Sequence, residues 1–73
     1  MIVVDALGEA CPVPVIMLNE AARDAAPGAR IEVLADDPAA EIDIPAWCAI
    51  KQHHYEGQTE RERGWAFLVR LRE

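Results

Sequence analysis

Apolar residues recur along this chain with two different periods, and the period changes at glycine and proline. Residues 2–6, Ile-Val-Val-Asp-Ala, are short and β-branched, which predicts a strand. After Gly8 the chain runs through Cys11-Pro12-Val13-Pro14 into a stretch rich in helix formers that stops at Pro27-Gly28. Proline at a first helical position loses no hydrogen bond, since the N–H it lacks has no partner there. A helix over about 12–26 is expected. Projected at roughly 100° per residue, Val15, Leu18, Ala21, Ala22 and Ala25 fall on one arc and form the expected core face. Asn19, Glu20, Arg23 and Asp24 lie opposite. Val13 and Ile16 project among these polar residues, two apolar side chains turned to water close to Cys11.

Residues 30–35, Arg-Ile-Glu-Val-Leu-Ala, read as a second strand. Asp36-Asp37-Pro38 is a helix start, with Asp37 as N-cap and Pro38 in the first position. The helix expected over about 38–53 should be kinked or split by Pro45, with Asp43 placed to cap its second half. Ile42, Ala46, Ala49 and Ile50 share one face of it. His53 to Thr59 is a weak strand containing Gly57, and Glu60 to Gly64 is a charged turn. From Trp65 to Arg72 the alternation is strict: Trp65, Phe67, Val69 and Leu71 face one way, Ala66, Leu68, Arg70 and Arg72 the other. The order β-α-β-α-β-β predicts an α+β two-layer sandwich, two helices on one face of a four-stranded mixed sheet, with the last two strands an antiparallel hairpin. The uncovered sheet face should be polar, as Arg30, Glu32, Arg70 and Arg72 allow.

Seventy-three residues fit one domain, 1–73, and not two. A chain this short buries only about 60% of its unfolded surface, leaving no room to enclose a large cofactor. At 52% hydrophobic it does not have the composition of a disordered chain. Its formal charge of −6 disfavours direct binding to a nucleic-acid backbone and suits docking onto basic proteins. Met1 leads into Ile2-Val3-Val4 without a basic segment, and no apolar run approaches the ~20 residues of a membrane span. Two cysteines far apart, Cys11 and Cys48, do not form the framework of a small secreted domain. A reducing cytoplasm is the expected location.

Cys11 is the leading candidate for chemistry. As N-cap of the first helix it would feel the positive end of the peptide dipoles, which favours thiolate over thiol. Pro12 and Pro14 carry no N–H, which leaves Val13 and Val15 as the donors near the cap and stiffens the backbone that aims the sulfur. The bland alternative is a buried cysteine acting as a small hydrophobe. Asp5 and Glu9 are near in sequence, and carboxylates beside a thiol would raise its pKa; Asp5 is better used holding the N–H groups of the 6–10 loop. Cys48, His53 and His54 could join Cys11 in a metal site, but the spacing lacks both a C-x2-C and an H-x3–5-H pair. No metal is therefore expected. Packing explains Cys48, although it could resolve a disulfide with Cys11. Capping explains Asp36-Asp37 without Mg²⁺. Glu60, Glu62 and Glu73 offset the late arginines Arg61, Arg63, Arg70 and Arg72.

The run from Asp5 to Pro14 resembles the D-x-x-G-x-x-C-P-x-P signature of the TusA/SirA-like sulfur carrier family. A second match is Asp36-Asp37-Pro38-Ala39 followed by Asp43-Ile44-Pro45-Ala46-Trp47-Cys48, similar to the family's D-D-P-A…D-I-P-x-aromatic-C stretch. The resemblance covers nearly the whole chain, from about residue 2 to residue 72. It implies a sandwich like the C-terminal domain of translation initiation factor 3. It implies that Cys11 carries a persulfide, that Pro12 and Pro14 shape the site, and that Gly8 permits the loop turn. It implies a sulfur carrier more than a stand-alone enzyme, a monomer that docks transiently and requires no organic cofactor. The donor would be a cysteine desulfurase or a rhodanese, and the acceptor a DsrE/TusD-like or other protein. The routes served by the family include tRNA thiolation, molybdenum cofactor supply and dissimilatory sulfur oxidation. Two positions depart from the family pattern: Ala10 stands where a basic residue is frequent, and Val13 where a polar or acidic one is common. With Ile16, Val13 would give an apolar docking rim around Cys11. The competing readings are a regulatory or binding module of the same fold and a Cys11/Cys48 redox switch.

Overall fold

A computed structural model describes residues 1–73. The strands are β1 (Ile2–Asp5), β2 (Arg30–Ala35), β3 (His54–Glu60) and β4 (Trp65–Arg70); the helices are α1 (Val13–Asp24) and α2 (Ala40–Lys51). The strands form one sheet in the order β1-β2-β4-β3. β1 and β2 run parallel, which requires the crossover that α1 supplies. β2 with β4 and β4 with β3 are antiparallel. This is the mixed α+β sandwich that the sequence predicts.

Period-2 burial sets the sheet against the helices. Ile31, Val33 and Ala35 of β2 and Phe67 and Val69 of β4 point inwards and are buried, joined by Leu71 just beyond β4. They meet Leu18 of α1 and Ala40, Ile44, Trp47 and Cys48 of α2 in one core cluster. Val15, Ala21, Ala22 and Ala25 pack half-buried against its edge, so the arc projected for the first helix faces the core.

The far side of the sheet is mixed, not uniformly polar as expected: Val3, Leu34, Ala66 and Leu68 share it with Arg30, Glu32 and Arg70. Arg30 and Arg70 stand opposite one another across β2 and β4, a like-charge pair that alone would destabilise the ladder. A register shift between Tyr55 and Gly57 sets Glu56 facing both, at 3.1 Å from Arg30 and 3.4 Å from Arg70. The φ of Gly57 at this bulge is +109°, a conformation that side chains resist. Arg61 likewise pairs with Glu32 at 3.0 Å. The late arginines Arg61, Arg63 and Arg70 are thus all held in ion pairs.

Two expectations for the helices change. The first helix begins at Val13 with Pro12 in the N-cap position, so Cys11 stands one residue before the cap. The Val13 N–H is not free, since it donates to the Ala10 carbonyl at 2.9 Å. Pro45 does not split the second helix, which runs unbroken from Ala40 to Lys51. A proline removes one i→i−4 bond, and burial of Ile44, Trp47 and Cys48 on either side outweighs that loss. Ile42, Ala46, Ala49 and Ile50 share a face of α2 as expected, and it is the exposed one, with Ile42 and Ile50 73% and 77% accessible. The inward positions are taken by Ile44, Trp47 and Cys48.

Candidate functional site

The loop between β1 and α1 is pinned by carboxylates. Asp5 Oδ1 accepts the Leu7 N–H at 3.1 Å, the role expected of it. Gly8, at φ +82°, takes the left-handed turn that its lack of a side chain permits. Its N–H donates to Asp36 Oδ1 at 3.0 Å, and Arg63 Nε donates to the other oxygen of Asp36 at 2.8 Å. The Gly8 N–H and the Arg63 guanidinium hold the Asp36 carboxyl below the usual carboxylate range.

Asp37 works on the next turn. Its Oδ1 accepts the Ala39 N–H at 3.0 Å, closing the turn from which α2 starts at Ala40. The N-cap of α2 is Ala39, with no side-chain cap, so Asp37 stands two residues ahead of the cap position expected of it and closes the preceding turn instead. Its Oδ2 accepts the Cys11 N–H at 2.8 Å across the gap to the first loop. These two backbone donors, Ala39 first and Cys11 second, lower the pKa of Asp37. The Asp36-Asp37 pair is thus a clamp that ties the Cys11 loop to the start of α2.

The sulfur of Cys11 is exposed, and its neighbour is Asp43. The thiol donates to Asp43 Oδ2 at 2.6 Å. This overturns the expected lowering of the Cys11 pKa. The Asp43 hydrogen bond pushes the thiol above its ordinary value, with smaller contributions from partial desolvation and from the charges of Asp43 and Asp37. A neighbouring carboxylate in contact outweighs the partial charges at the end of α1, which Cys11 precedes instead of capping. Asp43 in turn does not cap a second half-helix.

Of the remaining residues singled out in the sequence, Pro12 lines the same hollow as Asp43, and Val13, Pro14 and Ile16 do not. Pro12 is exposed, Pro14 is buried as the second residue of α1, Val13 is half-buried and Ile16 is 49% accessible. The Cys11–Pro12 peptide bond is cis. Beside Cys11 a hollow of about 330 Å³ opens between the helices, lined by Pro12, Val15, Asp43, Ala46, Trp47 and Ile50. Trp47 forms its floor and is held in place by Asn19 Oδ1, which accepts its indole N–H at 3.2 Å. Trp47 and Asp43 were not singled out as site residues by sequence reasoning. The signal was available: both lie in the second motif stretch, in register with the first.

The two cysteines differ in setting, Cys11 exposed and Cys48 buried, and both are free thiols. Cys48 is 1% accessible, and burial pushes its thiol up to about 11. His53 stacks on Trp47 with ring centres 4.9 Å apart and accepts the Arg72 N–H on Nδ1 at 3.0 Å. No three His, Cys, Asp or Glu side chains converge as metal ligands would. No helix is long and apolar enough to cross a membrane.

Known proteins share this arrangement. Residues 2–71 match the family model described as sulfurtransferase TusA. Proteins named sulfur carrier protein TusA from Pseudomonas paraeruginosa and from Pseudomonas aeruginosa are each 38% identical over 68 residues, 93% of this chain and 86% of theirs. The crystal structure of a SirA-like protein from Desulfitobacterium hafniense superposes with a TM-score of 0.85 at 28% identity, covering 100% of both chains. A match over nearly the whole length, in sequence and in fold, supports a role in sulfur relay, and the chain belongs to the TusA sulfurtransferase family.

Proposed function

We propose that this single domain is a sulfur carrier whose Cys11 accepts sulfane sulfur as a persulfide and passes it to a second protein. The observation that carries the reading is an exposed thiol on a loop clamped by Asp36 and Asp37, against a second thiol sealed in the core. In loading, the Cys11 thiolate attacks the terminal sulfur of a donor persulfide. A bond forms between Cys11 Sγ and that sulfur, the donor's S–S bond breaks, and the donor cysteine leaves as thiolate and takes up the proton given up by Cys11. In delivery the acceptor's thiolate attacks the terminal sulfur and Cys11 returns to thiol. Sulfane sulfur keeps its oxidation state throughout, so the relay needs no metal or organic cofactor.

Gly8, Pro12 and Pro14 shape the loop that presents the sulfur. Val13 and Ile16 form an apolar rim on which a donor, a cysteine desulfurase or rhodanese, and an acceptor of the DsrE/TusD-like kind would dock in turn. The family's routes to thiolated tRNA, molybdenum cofactor and sulfur oxidation all accept such a carrier. The test is to incubate the protein with a rhodanese and thiosulfate and to weigh it. One added sulfur atom is expected on Cys11 and is lost in Cys11→Ser. An adduct that survives Cys11→Ser, or that maps to Cys48, would overturn the assignment.

A further inference from the structure

The acids of the site are not equivalent. Both oxygens of Asp37 accept backbone N–H groups, and those of Asp36 accept the Gly8 N–H and the Arg63 guanidinium. Asp43 has no cation; its one hydrogen-bond partner is the Cys11 thiol. It is the fourth residue of α2 and is only half-buried. A carboxylate whose sole partner is a thiol loses that partner when the sulfur changes its chemistry.

We infer that Asp43 senses the sulfur load of Cys11, holding the empty carrier's thiol against α2 and driving the loaded carrier's terminal sulfur outwards to the acceptor. The inference rests on the relay reading above. In the empty state Sγ carries a proton, and Asp43 accepts it in a hydrogen bond. Loading converts Cys11–S–H to Cys11–S–S–H. Sγ, now bonded to carbon and sulfur, has no proton to donate, so the bond to Asp43 is gone. The terminal S–H of a persulfide is more acidic than a thiol and gives its proton to water at neutral pH. The product is Cys11–S–S⁻, an anion facing Asp43 from α2 and Asp37 from the turn before it. The charges that act on Cys11 are those of Asp43 and Asp37; Arg63 is engaged by Asp36, and the first turn of α1, Val13 to Ile16, holds no charged residue. The same carboxylate therefore attracts the empty form and repels the loaded one. In the exposed setting of Cys11, rotation of the persulfide away from α2 relieves the repulsion.

The test compares the natural protein with Asp43→Asn, which keeps size and removes charge, and with Asp43→Ala. In the empty state, the rate of Cys11 alkylation by iodoacetamide is followed against pH. The midpoint should fall in both variants; a fall of about one pH unit reads as roughly tenfold faster alkylation at pH 7. In the loaded state, made with glutathione persulfide, iodoacetamide is compared with the same reagent on a bulky polyethylene glycol. Both reagents are neutral, so the ratio of the bulky reagent's rate to that of iodoacetamide reports access. In the natural protein the ratio should rise several-fold on loading; in the variants it should not change. An unshifted midpoint, or an equal rise of the ratio in all three proteins, would overturn the inference while leaving the relay intact. Failure of the natural protein to take up sulfur on Cys11 would overturn the relay and this inference with it. Loss of cooperative melting in both variants would also count against it, since a carboxylate that only senses a thiol is not needed for folding.

Discussion

The two thiols of this protein are both harder to ionise than a free cysteine, and for opposite reasons. Cys48 lies in the layer between helices and sheet, where burial disfavours the anion. Nothing short of opening the core relieves that. Cys11 lies at the surface, where one hydrogen bond from its thiol to a carboxylate has the same effect. That effect ends when the carboxylate moves, is replaced, or is itself protonated. One region protects its sulfur by excluding water and reagents; the other restrains its sulfur and leaves it within reach. A helix joins them: α2 turns Cys48 into the core and Asp43 towards Cys11.

The largest effect should come from chemical modification of the native protein. With a pKa of about 11, Cys48 at pH 8 is thiolate in on the order of one molecule in a thousand. It is also 1% accessible, so a reagent must wait for the chain to open. Iodoacetamide should modify Cys11 completely while Cys48 stays intact until denaturant is added, as peptide mapping would show. Comparable rates at the two sites would break the comparison at its base.

A second contrast sets aliphatic residues of the two regions against each other. Leu18 is fully buried, and Leu18→Ala should cost about 2–5 kcal/mol of stability, read from denaturant unfolding. Ile16, two residues away and about half exposed, should tolerate Ile16→Glu within roughly 0.5 kcal/mol. Sulfur transfer from a rhodanese should nevertheless slow in Ile16→Glu, because a charge then sits on the proposed docking rim. Unchanged transfer would remove Ile16 from the site.

These contrasts also show what could be read in the sequence. Strands and the core face of α1 were legible because period-2 and 3.6-residue patterns report burial directly, and Leu18 and Phe67 lie where the pattern puts them. The outer face of α2 was not. Ile42, Ala46, Ala49 and Ile50 carry the same periodic signal as a core, and only the packing of Trp47 and Cys48 shows which way the helix is turned. The position of Cys11 was legible from its motif, but its electrostatics were not. The charge that dominates comes from Asp43, 32 positions along the chain. Local reasoning weighed Asp5, Glu9 and the helix dipole, because those are the groups adjacent in sequence. Long-range contacts between loops are set by the topology of β1, β2 and the two helices, and no local period encodes them.

The smallest effect concerns the edge of the buried region. His53 stacks on Trp47 and its N–H donates to the Cys48 carbonyl at 2.8 Å, so it closes the C-terminal end of α2 over the core. Partial burial, and then the charges of Arg72, His54 and Lys51, hold its pKa below the ordinary 6.5. Between that lowered value and 6.5 the unfolded chain binds a proton that the folded chain refuses, so stability falls as pH falls through this window. Above 6.5 both states are neutral and the histidine contributes no slope. Asp36 and Asp37 have lowered pKa values as well, but their loss begins only as pH falls towards 3.8, well below the histidine window. Melting temperature followed downwards from pH 7.5 should therefore show a shallow decline starting near 6.5, which His53→Gln removes, and a separate, later decline that it leaves in place. In the same titration Cys11 should remain as accessible to alkylation as the folded population allows, since nothing in its loop contacts His53. A first decline that persists in His53→Gln would assign it to another group and detach this histidine from the protection of Cys48.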